Sequence, residues 1–477
     1  MKIWTKYKNM PIQLKASLWY TICNFFQKGI SFIVVPIYVR LLTTAEYGEW
    51  SVFQSWRDIL IIFASLNLYA GVYTKTIVDN KGDRDRYTSS MQGLGTIISL
   101  ALLILYFITH EWCNRKLGLT TPYMVLLFFY FIVYPGFAFW TTRQRVEYRY
   151  KPMIIVTAII SVLTPAVSIV LLQTTDLRAK SLILGFLIVQ CTVGAIFYVY
   201  QFLRGKCFFH KGYWQYAAKF NIPLIPHYLS LIVLNQSDRI MIKEICGESD
   251  AGVYSFAYQI ASTMSIFLSA INGSRVPWSY EQLRDKVYTK LRTISNALCV
   301  IIGAIALMAA LLAPDIINIL GTREYLLATY VIPIVCLGVY FTFVYDLFCA
   351  VEFYYGETKY VMLASVIGAL TNVILNAIFI PMYGFIAAAY TTLFSYIFFM
   401  FMHFLFMHKV MKKQKITEEI YDIKFLGIFS IALTATIFVS MLTYQNTFVR
   451  WIIIFALCII VFILRNKIVD VMKSMKK

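Results

Sequence analysis

Runs of roughly twenty mostly apolar residues, the length needed to cross a bilayer, recur along almost all of this 477-residue chain. That pattern restricts it to an all-α polytopic membrane protein. Fourteen such runs can be placed, near residues 16–38, 50–72, 89–109, 122–142, 152–173, 181–203, 216–238, 253–274, 293–314, 327–350, 360–381, 384–407, 425–444 and 447–464. With 60% hydrophobic and only 14% charged residues, a soluble domain of this length would not stay in solution. The basic start, MKIWTKYKNM, is followed by an apolar run too long and too polar-striped for a cleaved signal. The first span is therefore expected to be retained.

The net charge of +19 could suggest nucleic acid, but the 43 lysines and arginines fall in short gaps between apolar runs, not on one soluble face. They concentrate in alternate gaps and in both tails. The asymmetry predicts that both termini lie in the cytoplasm. The nine cysteines are scattered, with no CxxC pair and no metal-like spacing to the five histidines, so they read as small hydrophobes and no metal site is expected. No gap is long enough for an external catalytic domain, which argues against a membrane glycosyltransferase, polymerase or ligase. No phosphate-loop motif is present. No catalytic residue and no cofactor are expected.

The chain also repeats itself. Gly48-Glu49-Trp50-Ser51 at the second span resembles Gly252-Val253-Tyr254-Ser255 at the eighth. Lys151, Thr157, Thr164 and Ser168 on the fifth align with Lys359, Ser365, Asn372 and Asn376 on the eleventh at nearly the same offset. Two halves of six spans follow, 1–210 and 211–408, with 409–477 forming an additional helix pair and basic tail. Because six is even, the halves share one orientation, and such a pair of bundles would enclose a cavity.

Polar residues inside the spans mark function, since a lysine at the centre of a membrane helix costs about 2.5 to 3.5 kcal/mol. Lys28 lies in the first span, on a stripe with Ser17, Thr21, Asn24, Gln27 and Ser31 recurring at steps of three or four. Arg57 and Asp58 lie on the second span and point about 100° apart on a helix, so one can face a cavity while the other packs. The bland alternatives are a Lys28–Asp58 pair and an internal Arg57–Asp58 pair. Arg275 closes the eighth span, where an arginine is usually a topology signal. Asp238 and Arg239 end the seventh as a gate or packing pair. Asp346 and Glu352 flank the end of the tenth. Asn372 and Asn376 are expected to bond between helices. His227, beside Pro223 and Pro226, is expected to satisfy a carbonyl freed where the seventh span bends.

At VVPIYVRLLTTAEYGEWSVFQS, residues 34–55, the sequence resembles the polysaccharide exporters, the O-antigen and capsule flippases of the multidrug/oligosaccharidyl-lipid/polysaccharide exporter superfamily. Pro36, Tyr38, Arg40, Glu46, Tyr47 and Gly48 carry the likeness, which continues in PLIPHYLSLIVLNQSDRIMI, APDIINILGTREYLLATYVIP and TNVILNAIFIPMYGFIAAAYTTLFSY. The resemblance implies two six-helix bundles meeting in a V and opening alternately to each side. It implies transport of a polyprenyl-diphosphate-linked oligosaccharide to the periplasmic leaflet for O-antigen or capsule biosynthesis. Cationic residues on spans one, two and eight line the cavity of related lipid II flippases, which points to Lys28, Arg57 and Arg275 as diphosphate ligands, with Asn24 and Gln27 beside them. Asp58, Asp238, Arg239, Asp346 and Glu352 become candidates for gating or for carrying a coupling H+ or Na+. Glycan polymerases or glycosyltransferases are the expected partners. The alternative is a cation-coupled small-molecule or drug antiporter of the same superfamily, which would favour an acidic cavity.

Overall fold

The computed structural model describes residues 10–79 and 81–474, which among themselves form helices and no strands. Chain contacts divide it into two compact units. The first takes the described residues up to Val34 and within Glu49–Gln236; the second takes Val35–Gly48 and the described residues from Ser237. Three helices therefore contribute to both: α1 (Ile12–Leu41), α2 (Thr44–Ser65) and, later in the chain, one that crosses at Gln236.

The first unit continues with the short α3 (Val72–Asp79), α4 (Arg84–Ile108), the short α5 (His110–Leu117), α6 (Thr121–Val146), α7 (Tyr150–Thr174) and α8 (Ala179–Gly205). Its apolar core includes Val72, Tyr73, Tyr87, Met91 and Phe139. Beside this core the loop ends are tied by charges. Arg143 pairs with Asp85 and, at 2.9 Å, with Glu147, while Arg204 reaches the other Asp85 oxygen at 3.1 Å. Then α9 (Lys211–Asn221) gives way to one 3-10 turn at Ile222–Leu224 and α10 (Ile225–Cys246). Pro223 and Pro226 account for this break, because each lacks the N–H that the helix ladder needs. The expected carbonyl contact of His227 is not made: its buried Nδ1 has no hydrogen-bond partner among the described residues.

The second unit contains α11 (Glu248–Ser262), α12 (Met264–Arg284), α13 (Tyr288–Leu320), α14 (Ile332–Tyr354), α15 (Thr358–Tyr383), α16 (Ile386–Lys413), α17 (Ile423–Met441) and α18 (Thr447–Ser474). The hub is α14, whose apolar window is 78% buried. The repeated glycines meet each other at the start of this unit. A Cβ on Gly48 would sit 1.9 Å from the Glu248 carbonyl oxygen, and one on Gly252 would sit 2.0 Å from that of Thr44. Each glycine thus faces the carbonyl four residues before the other, and Thr44 Oγ1 bonds Ser249 Oγ at 2.7 Å beside them. The sequence repeat is a two-fold-like crossing of α2 and α11 at backbone contact, which only a residue without a side chain permits.

Among the described residues, eleven helical segments are long and apolar enough to cross a membrane, with Thr447–Ile463 apolar but shorter. The expected count of fourteen is not reached on this measure. The second expected span, α2, carries Glu46, Glu49, Arg57 and Asp58. The eighth is interrupted at Thr263, between α11 and α12.

Candidate functional site

The polar residues sort into separate groups within each unit. On α1, the stripe predicted from spacing lies open: Ser17, Thr21, Asn24, Lys28 and Ser31 are all exposed and Gln27 is half-buried. Thr21 and Ser31 donate back to the carbonyls of Ser17 and Gln27 at 3.0 Å, so the stripe satisfies its own hydroxyls. The Lys28 ammonium has no hydrogen bond or ion pair recorded among the described residues. Asp58, its suggested partner, is engaged elsewhere.

Arg57 donates through Nε and Nη2 to Asp58 Oδ1 at 2.9 and 2.6 Å. Although consecutive residues leave the backbone in different directions, the long arginine side chain curls back onto its neighbour. The guanidinium also lies 4.6 Å over the Phe186 ring. The remaining Asp58 oxygen accepts from Gln236 Nε2 at 3.2 Å, and Gln236 Oε1 accepts from Ser55 at 3.1 Å. Arg57 and Asp58 retain 15% and 30% of their side-chain exposure, so this pair is reachable from outside the packed interior.

The second unit buries its charges. Helix α10 continues to Cys246, which moves Asp238 and Arg239 from the expected span end into the helix interior. Asp238 is 1% exposed and saturated: Tyr254 Oη and Thr392 Oγ1 donate to Oδ2 at 2.5 and 2.8 Å, and Asn376 Nδ2 donates to Oδ1 at 2.7 Å. Asn372 joins the net by accepting from Ser237 at 3.1 Å and donating to Thr392 at 2.9 Å. Arg239 lies 4.5 Å over the Tyr258 ring. Both asparagines thus bond between helices.

Arg275 is likewise not at a helix end. Helix α12 runs through Pro277 to Arg284, and Arg275 is 1% exposed within it. Its Nε donates to Asn272 Oδ1 at 2.9 Å, and Asn272 Nδ2 donates to Asp346 Oδ2 at 2.8 Å. Its Nη1 and Nη2 are buried without hydrogen-bond partners among the described residues. Glu352 sits near the end of α14, as expected, two residues before Tyr354, fully buried, with Oε1 2.8 Å from His403 Nδ1. Sequence reasoning did not single out His403. The signal was available, because an ionisable residue inside an apolar run is rare. No group of three or more His, Cys, Asp and Glu side chains is arranged to hold a metal ion among the described residues.

This architecture has counterparts among known proteins. A family model described as polysaccharide biosynthesis protein matches residues 13–283, and one described as MatE matches residues 223–378. The chain is 26% identical over 397 residues to an uncharacterized membrane protein of Haemophilus influenzae, covering 77% of this chain and 92% of that one. It is 24% identical over 370 residues to Lsg locus putative protein 1 of the same organism, covering 75% and 89%. Among solved structures, the lipid II flippase MurJ in an inward closed conformation aligns over 94% of this chain and 100% of its own, with a TM-score of 0.63 at 18% identity. An inward-facing multidrug resistance MATE family transporter of the MOP superfamily aligns over 82% and 96%, with a TM-score of 0.60 at 15% identity. The fold is that of these membrane transporters.

Proposed function

The chain belongs to the polysaccharide biosynthesis protein family, and from that premise we propose that it is a flippase for a polyprenyl-diphosphate-linked oligosaccharide. It moves this cargo from the cytoplasmic to the periplasmic leaflet of the bacterial inner membrane by alternating access, with both termini in the cytoplasm. The product serves an envelope polysaccharide such as O-antigen or capsule, and the partners are the glycosyltransferases and polymerases acting before and after translocation.

The observation that carries this reading is Lys28: an exposed ammonium on the polar stripe of a helix otherwise apolar enough to span. An intramembrane cation without an internal counter-charge suits a ligand that brings its own negative charge, and attraction to a diphosphate strengthens as the site loses water. Arg57 supplies a planar fork suited to phosphate oxygens, released from Asp58 when the cargo competes for it. Asn24 and Gln27 flank Lys28 as hydrogen-bonding groups for the head. Arg275, with its buried unpartnered nitrogens, is a further diphosphate ligand once the Asn272 contact opens. Asp58, Asp238, Asp346 and Glu352 are the carboxylates from which the coupling H+ or Na+ site is drawn, and Arg239 belongs with Asp238 in gating.

The test is the leaflet distribution of lipid-linked oligosaccharide in depleted cells, read with a periplasm-restricted sugar probe beside total lipid-linked product. Accumulation with loss of outer-leaflet signal is expected, and Lys28→Ala or Arg57→Ala at normal protein level should reproduce it. Full flipping in both variants sinks the assignment. The MatE match supports a second reading, export of cationic small molecules by ion exchange. Drug susceptibility of a strain lacking the protein, with unchanged leaflet distribution, would favour that reading.

A further inference from the structure

Glu352 and His403 form a pair that neither the cargo site nor the Asp238 net uses. Glu352 comes from α14 and His403 from α16, and both side chains are fully buried. The imidazole is held on two sides: Tyr345 stacks at 5.5 Å with an interplanar angle of 18°, and Phe399 meets it edge-on at 4.6 Å. One hydrogen bond joins the pair, at 2.8 Å between Nδ1 and Oε1. The far atom on each side, Glu352 Oε2 and His403 Nε2, is buried with no hydrogen-bond partner among the described residues.

Charge balance decides what such a pair holds. With one shared proton it is neutral overall, either as carboxylate with imidazolium or as carboxylic acid with imidazole. Without that proton a carboxylate remains buried beside a neutral ring, and a buried charge without a counter-charge is strongly disfavoured. The nearby groups leave little to compensate it. Asp346, Tyr345 and Cys349 on α14 are acids; Arg275 on α12 is linked to Asp346 through Asn272, with Tyr280 on α12, Cys299 on α13 and Tyr421 before α17 around it. Arg275, the cation among these groups, is already tied through Asn272 to the other carboxylate. A hard metal cation is a poor occupant, since it requires several oxygen ligands and the pair offers one carboxylate and one ring nitrogen.

We infer that Glu352 and His403 are a proton-binding site of the second unit, which gives up its proton only when the contact between α14 and α16 opens to water or to a counter-cation. Asp346, which interacts electrostatically with His403, links this site through Asn272 to Arg275. Proton loading thereby acts on the residue proposed to meet the cargo diphosphate. The use of the site in transport rests on the flippase reading; its existence does not.

The experiment is infrared difference spectroscopy of the purified full chain in lipid nanodiscs across a pH series. On acidification either a C=O band of a buried carboxylic acid or, where the shared proton rests on His403, imidazolium ring bands should rise; the change should persist in Asp346→Asn and disappear in Glu352→Gln. In His403→Gln its midpoint should move by about 1 to 3 pH units, the size of effect expected on losing an adjacent charged partner. Identical spectra in wild type, Glu352→Gln and His403→Gln overturn the inference. If Glu352→Gln fails to fold, ring-nitrogen NMR of histidine-labelled wild type decides: a carboxylic-acid band beside a neutral imidazole, or an imidazole that gains its second N–H with no such band, supports the site, and neither change across the pH series refutes it. Proteoliposomes then separate the two claims. A protein that titrates in this way but moves no lipid-linked sugar keeps the proton site and loses the flippase reading. Flipping whose dependence on a pH gradient is the same in wild type and Glu352→Gln removes the coupling role.

Discussion

The charged centres of the two units follow opposite plans. In the first, Lys28 is exposed, and Arg57 and Asp58 close on each other while keeping 15% and 30% of their side-chain exposure. In the second, Asp238 and Arg275 are 1% exposed and Glu352 and His403 are wholly enclosed; Asp238, Glu352 and His403 are bonded across helices, and Arg275 to Asn272 on its own helix. A charge near water exchanges partners at small cost, whereas a buried one is tied to the helices that satisfy it. The first arrangement suits a ligand that comes and goes. The second makes helix packing and charge state depend on one another.

The comparison breaks most readily at the crossing of α2 and α11, which belongs to the second unit. Gly48→Ala or Gly252→Ala forces a methyl onto a backbone carbonyl and should cost upwards of about 4 kcal/mol, seen as loss of monodisperse protein on size-exclusion chromatography in detergent. Gly29→Ala in the first unit, with nothing within 4 Å of the added carbon, serves as the control and should leave the elution profile intact. Equal behaviour of the three variants would remove the backbone contact as an explanation of the repeat.

Next in size is the contrast between buried and accessible carboxylates. Asp238→Ala strands three donors and should lower stability by about 3 to 5 kcal/mol, while Asp58→Ala should cost about 1 kcal/mol or less. Thermal unfolding of both variants in the same detergent measures the difference, and matched losses would erase the distinction. Asn376→Ala, which removes a donor to Asp238, should fall between them at about 1 to 3 kcal/mol. The smallest expected change is that of Lys28→Ala, within about 0.5 kcal/mol of wild type. A large loss of stability there would show that Lys28 holds the fold together and would withdraw it from the cargo site.

Much of the helical framework was legible, since apolar runs report burial in lipid directly. Helix ends were less so, and the misreadings share one cause. Arg275 and Asp238 were expected at span ends and lie instead inside α12 and α10. Within a packed membrane bundle, neighbouring helices satisfy what a proline or charge would otherwise leave open, and the helices continue. His403 was overlooked because its meaning depends on Glu352, 51 positions away in sequence. Helical direction set Arg57 and Asp58 apart, with an internal pair as the alternative; that pair forms, because a long flexible side chain overrides the direction in which it leaves the backbone.

Sequence by itself determined the class of protein, the spacing of its apolar helices, the polar stripe around Lys28 and the repeat containing Gly48 and Gly252. These are local patterns, set by the periodicity of a helix and the thickness of a bilayer. Only the tertiary structure decided that the two glycines face each other's helix, that Arg57 closes on Asp58, that Asp238 is saturated by three donors and that Glu352 meets His403. All but the Arg57–Asp58 pair join residues distant in the chain, and the energies of all of them depend on burial and separation, which no local pattern specifies.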